Sequence, residues 1–190
     1  MSFEFKFRTD TDLSAGLEKL IETLELRLEL KEPIKMYIAG GMAAHLYTGK
    51  RVTTDVDAEF SRRIFIPSDI LVETNNGQLL YIDTNYNSTF ALMHENYIED
   101  SVRVPIKSTM FEVFVLSPVD LVVSKIARLS DHDKEDIEDV ALAGLVSALE
   151  IQNRAEFALS GFVGNLRALR LNLKEAIDIV DRAAKKKGAV

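Results

Sequence analysis

Cysteine is absent from the chain. That absence removes disulfides, thiolate nucleophiles and Cys-ligated zinc from its chemistry. Long apolar runs are missing too, since nothing approaches the roughly 18 consecutive apolar residues of a membrane helix. The opening MSFEFKFRTD lacks the layout of a signal peptide. The expectation is a cytoplasmic protein with no membrane partner. Positive charge is scarce: 23 Lys and Arg against 30 Asp and Glu leave a net charge of −7. A nonspecific nucleic-acid binder, which draws its affinity from neutralising phosphates, is thereby disfavoured, although segregated charge still permits a structured RNA substrate. The one basic cluster, Lys185-Lys186-Lys187, reads as a solvated tail suited to the end of a helix dipole. His45, His94 and His132 are scattered without ligand spacing and read as structural or solvated. There is no Gly-x-Gly-x-x-Gly, no P-loop around Gly49-Lys50 and no Gly-x-Ser-x-Gly.

What remains is the composition of an ordinary globular protein, 47% apolar and 28% charged over 190 residues, enough for a substantial core. Leu13, Leu17, Leu20, Ile21, Leu24 and Leu28 recur at helical spacing, predicting an amphipathic helix over 12–30 with Asp12 as N-cap and Pro33 beyond its end. A strand at 35–39, a short helix at 42–48 and a strand at 54–60 follow. Residues 70–74 and 78–83 flank Asn75-Asn76-Gly77 as a hairpin. Residues 89–107 are ambiguous, with a helix start near Phe90 and an edge strand ended by Pro105. A last strand is expected at 111–116. From Ser117 the pattern turns helical: Ser117 caps, Pro118 suits the first position, and helices are expected near 118–130, 133–147, 150–160 and 173–186, the last opened by Asn172. Strands followed by helices predict an α+β fold, a mixed β-sheet core with packed helices and a C-terminal helical bundle. The expected division is a core at 1–116 and a helical region at 117–190.

The chemistry concentrates in residues 36–60, MYIAGGMAAHLYTGKRVTTDVDAEF. An apolar strand ends at Gly40-Gly41, where glycine lets backbone N–H groups approach an anion at a helix start. After thirteen intervening residues come Asp55 and Asp57, two apart and therefore on one face of a strand. Side-by-side carboxylates repel unless a cation lies between them, and Mg²⁺ or Mn²⁺ takes oxygen ligands shared with phosphates. Glu59 extends the alternation. An EF-hand reading fails, because Phe60 and Ile66 stand where Gly and Glu are needed.

The Gly-Gly and Asp-x-Asp pattern resembles the minimal nucleotidyltransferases of the DNA polymerase β superfamily. It is similar in particular to their AbiEii-like branch, found in bacteria and archaea and often linked to toxin–antitoxin or phage-defence loci. Arg51-Val-Thr-Thr, Tyr81-Ile-Asp83-Thr, the run from Ser117 to Arg128 and the acids from Asp131 to Asp136 fit in the same order. The resemblance spans roughly residues 35–145. It implies transfer of NMP from an NTP to a hydroxyl on a tRNA or protein, with an antitoxin as a further partner. It also implies a third carboxylate from a neighbouring strand, for which Asp83 is the first candidate and Glu95, Glu99 and Glu112 the others. Catalytic and metal roles then fall to Asp55, Asp57 and Asp83.

Nucleotide contacts are expected from Gly40, Gly41, Arg51, Lys125, Arg128, Asp133 and Asp136, each against a plainer reading. Arg51 could instead form a salt bridge with the aspartates. Lys125 and Arg128, three apart, could be a solvated helix flank; the resemblance has Lys125 reach the triphosphate. Asp133 and Asp136 could be a solvated helix start favoured by the dipole, against a site-facing Asp that pairs with Lys125 or orients substrate. A non-catalytic binding or regulatory module of the same fold is the rival class, and a phosphate-ester hydrolase using the same metals is a third.

Overall fold

The computed structural model describes residues 5–188; Met1–Glu4, the start of the stretch tested above for a signal peptide, lie outside the described residues. The chain divides into two compact units. The first takes the chain up to Tyr86 together with Ser101–Val115; the second takes Asn87–Asp100 and everything from Leu116 onward. Residues 87–100 thus belong with the helices. Among the described residues no helix is long and apolar enough to cross a membrane.

The first unit is a six-stranded mixed sheet. Its strands are β1 (Ile34–Ile38), β2 (Asp55–Phe60), β3 (Leu71–Glu73), β4 (Leu79–Asp83), β5 (Val102–Arg103) and β6 (Phe111–Val115), in the order β3-β4-β2-β1-β6-β5. β1 runs antiparallel to β2 and parallel to β6; β2 runs parallel to β4. The expected hairpin is β3–β4, antiparallel around a turn with Gly77 at φ 79°. The expected last strand, β6, lies inside the sheet, where Phe111, Val113 and Val115 are buried.

Helix α1 (Asp12–Arg27) buries Leu13, Leu17, Leu20, Ile21 and Leu24 and packs on β3 and β4. Gly16 lets it come close: a β-carbon there would lie 2.7 Å from Thr74 Cγ2. The cap differs from expectation. Thr11 accepts the Ser14 N–H, while the Asp12 carboxylate accepts the N–H groups of Asn75 and Asn76 in the hairpin turn. Helix α2 (Gly40–Thr48) starts at the glycine pair itself rather than at Met42 and closes on Gly49 in the left-handed conformation.

The second unit contains a 3₁₀ turn at Ser88–Phe90, at the edge of the stretch left ambiguous by sequence, where a helix start near Phe90 was one reading. Four helices follow: α3 (Pro118–Lys125), α4 (Asp131–Leu142), α5 (Ala148–Gly161) and α6 (Leu166–Gly188). Ser117, Ser130 and Ser147 cap α3, α4 and α5 in turn. α6 begins well before Asn172, whose amide instead donates to the Ile126 carbonyl at the end of α3. Leu169, Leu173, Ala176 and Val180 form the buried stripe of α6, against which α4 and α5 pack. The lysine cluster closes α6, with Lys186 on Glu138 and Lys187 on the Ala143 carbonyl.

Candidate active site

The parallel pairing of β2 and β4 sets Asp57 directly opposite Asp83 and Asp55 opposite Tyr81. Side chains alternate along a strand, so Asp55, Asp57 and Asp83 share one face, while Val56, Ala58, Leu80 and Ile82 fill the buried one. One carboxylate oxygen from each of the three aspartates lies within 4.8 Å of the other two. All three are half-buried. Like charges opposite one another destabilise a sheet. Such a cluster therefore fits a divalent cation with oxygen ligands, and the donor set is right for Mg²⁺ or Mn²⁺. Glu59, two residues further along β2, is outside the cluster.

Neighbouring groups hold the carboxylates in place. Asp55 accepts the Thr53 hydroxyl, and Asp83 accepts the Asn85 N–H at 2.8 Å, so Asp83 also serves as the turn former its sequence context suggests. Gly40 is the tightest point. It takes φ 57°, and a β-carbon there would collide with the Asp57 carboxylate. At Gly41 a β-carbon would meet Thr53 at 3.1 Å and Arg51 Nε at 3.3 Å. The glycine pair thus makes room for the acid and the arginine to close on the entrance of α2. That helix has Ala39 as its N-cap residue and no capping side chain, so no side chain takes its first N–H groups.

His45 lies in α2 and is buried. Its Nδ1–H donates to the Arg51 carbonyl at 2.6 Å, and its Nε2 meets the Thr11 hydroxyl at 2.7 Å. Burial pushes its pKa below the usual histidine range, the Arg8 charge pushes the same way, and the bond to Arg51 partly offsets them. It is a structural tie between α2, the α1 cap and Arg51.

Lys125, Arg128, Asp133 and Asp136 come together in the second unit, with one another. Lys125 is a buried cation, not a solvated flank: its Nζ is 2.7 Å from Asp136 and 3.5 Å from Asp133. Arg128 grips Asp133 with Nε and Nη2, each at 2.8 Å. Asp133 also closes the capping box with Ser130. Burial raises the Asp133 pKa, but bonds from Arg128 and Ser130 and the Lys125 charge outweigh it and hold the carboxyl well below the usual range. Pairing of these acids with Lys125 and Arg128 was one of the alternatives the sequence left open, and it is the one the structure shows, with Asp133 and Asp136 both taking part. Leu129, at φ 47°, makes the tight turn that brings α4 back toward α3. Asp120 and Arg154 form a second internal pair that sequence reading missed, with Arg154 Nε and Nη2 each 2.7 Å from a different Asp120 oxygen. The only sequence signal was the acid three residues after the Ser117 cap.

Over residues 15–174 the chain matches the family model described as a nucleotidyltransferase of unknown function (DUF6036), and it belongs to that family. No curated protein and no solved structure matches it.

Proposed function

We propose that this member of a nucleotidyltransferase family moves a nucleoside monophosphate from an NTP to an acceptor hydroxyl, releasing pyrophosphate, with Asp55, Asp57 and Asp83 as its catalytic carboxylates. The observation that carries the reading is the β2–β4 register, which sets Asp57 beside Asp83 with Asp55 two residues away on the same face. These three residues would hold Mg²⁺ or Mn²⁺. Bound there, the ions supply charge neutralisation for the attacking and leaving oxygens of an in-line displacement. The rest falls to the chain. The N–H groups behind Gly40 and Gly41 cradle phosphate oxygens at the uncapped start of α2. Arg51, held against Gly41, contacts the nucleotide. Asp83 orients the acceptor hydroxyl and accepts its hydrogen bond. Lys125, Asp133 and Asp136 hold α3 and α4 together, and Arg128, whose side chain is 75% exposed, is the member of that network suited to phosphate. The similarity to AbiEii-like proteins extends the proposal to a tRNA or protein acceptor and an antitoxin partner.

Titrating NTP by calorimetry with and without Mg²⁺ tests the site. Tight binding that needs Mg²⁺ and vanishes in the Asp55→Ala/Asp57→Ala protein is expected. Equal binding by the wild type and the double variant would rule the cluster out as the nucleotide site.

A further inference from the structure

The helical unit holds a cleft of about 470 Å³ lined by residues that the proposed transfer does not use. That volume suits a small planar ligand. On one wall Phe157 of α5 is 52% exposed and packs against His94, with ring centroids 4.6 Å apart. His94 itself is 8% exposed. Its Nδ1 accepts the Asn96 N–H at 3.1 Å, so the ring hydrogen sits on Nε2, and no described residue takes it. Arg154 uses Nε and Nη2 on Asp120 and Asp100, leaving the Nη1 hydrogens without a partner among the described residues. Asp100 meets Arg154 with Oδ2 alone, and Glu150 caps Ser147 with Oε2 alone, so each keeps a carboxylate oxygen for a ligand.

The cleft therefore offers an aromatic face, N–H donors from a guanidinium and an imidazole, and carboxylate acceptors. A phosphate would face Asp100 and Glu150. A guanidinium or ammonium group would face Arg154 and the His94 Nε2–H. A ligand with two acceptors on one edge and two donors on the adjoining edge satisfies both sets. Among the bases, guanine has that pattern, with N7 and O6 as acceptors and N1–H and N2–H₂ as donors. We propose that this cleft binds a guanine base, stacked on Phe157 and read by Arg154, His94, Asp100 and Glu150. The base enters and its phosphates stay outside. The source is a free guanine nucleotide or an unstacked guanosine in single-stranded RNA, which share this chemistry.

Calorimetric titration of the full chain with GMP, in EDTA so that no divalent ion holds nucleotide at the carboxylate cluster, tests the proposal independently of transfer. GMP should bind at least roughly tenfold more tightly than AMP, CMP or UMP. N1-methyl-GMP, which lacks one donor, should lose most of that advantage. Phe157→Leu keeps apolar contact with His94 and should weaken GMP about five- to tenfold through lost stacking, with an unchanged Tm. Glu150→Gln retains the α5 cap and should narrow the preference for GMP over AMP. A short single-stranded oligoribonucleotide containing one guanosine separates the sources: tighter binding than GMP identifies RNA, weaker binding the free nucleotide. Failure of GMP to bind at millimolar concentration overturns the proposal. So does equal affinity for the four nucleotides, GMP affinity unmoved by Phe157→Leu, or tighter binding of arginine amide than of GMP.

Discussion

A methyl group is the smallest side chain that can be added at Gly40, and it has nowhere to go. It would strike the Asp57 carboxylate oxygen and stand 2.8 Å from Asp57 Cγ, on a backbone at φ 57°. The left-handed conformation alone costs a non-glycine residue about 1–2 kcal/mol. Relief of the clash must come from Asp57, because the backbone is held by the bond from the Ala39 N–H to the Asp57 carbonyl at 2.9 Å. Gly40→Ala should therefore lower stability by about 1–3 kcal/mol, read by urea unfolding. It should also cost Mg²⁺-dependent NTP binding more than that loss predicts, since Asp57 is turned out of the cluster. Gly77→Ala, also at positive φ but 3.5 Å from its nearest neighbour, is the control: strain without loss of nucleotide. Asp83→Asn separates charge from shape. The amide oxygen can still accept the Asn85 N–H, so the turn survives, and removing one of three mutually repelling charges should leave Tm unchanged or raised while transfer is abolished. Full transfer activity in that protein would remove Asp83 from the catalytic set. Spacing alone put Asp55 and Asp57 on one face, but Asp83 joined them only through the family resemblance: a parallel β2–β4 pair is a tertiary register that no local pattern encodes.

At the scale of elements, the α3–α4 pair depends on charges that helical periodicity places on a flank. Lys125 lies beside the Val122–Ile126 line, as its spacing says, yet its side chain is 5% exposed because Asp133 and Asp136 of α4 stand over it. Removing one partner of a buried pair leaves the other charge stranded and costs about 3–5 kcal/mol. Lys125→Met keeps the volume but removes the buried cation that faces Asp133 and Asp136, and should lose that much. Arg128→Ala, at an exposed guanidinium, should lose about 1 kcal/mol or less. Equal losses in chemical denaturation would contradict this division. Acid should act on the same network. The Asp133 pKa is lower folded than unfolded, so the unfolded chain binds the proton first. The stability Asp133 contributes is complete above the unfolded value of about 4 and declines as pH falls below it toward the folded value. Wild type and Asp133→Asn, which keeps the cap but not the charge, should differ most near neutrality and draw together as pH falls below about 4. Curves that stay parallel would remove Asp133 from the acid response. Strands, caps at Ser117 and the helical C-terminal half could be read from propensity and spacing. The α1 cap and the start of α6 could not, because Asp12 and Asn172 find partners far along the chain, in the hairpin turn and at Ile126.

For the molecule as a whole, the decisive property is that it forms two units and only one of them contains the carboxylate cluster. A ligand that binds the native sheet and not the unfolded chain stabilises by RT ln(1 + [L]/Kd), about 2.7 kcal/mol at a hundredfold excess over Kd. For a chain of this length that corresponds to roughly 5–10 °C in Tm. Mg²⁺ or Mn²⁺ should deliver such a rise, because the ion also cancels the repulsion that the β2–β4 register builds into the apo sheet. Asp55→Asn/Asp57→Asn should show the opposite pairing, a higher Tm without metal and no rise with it. Two units need not melt together, and where they do not, a single Tm is undefined. Scanning calorimetry then resolves two transitions, and the metal should move the one belonging to the sheet unit while the helical unit stays in place. Lys125→Met should do the reverse, lowering the helical transition and leaving the metal-dependent shift intact. A metal-induced shift of equal size in the aspartate double variant would place the cation elsewhere and remove the cluster as its site.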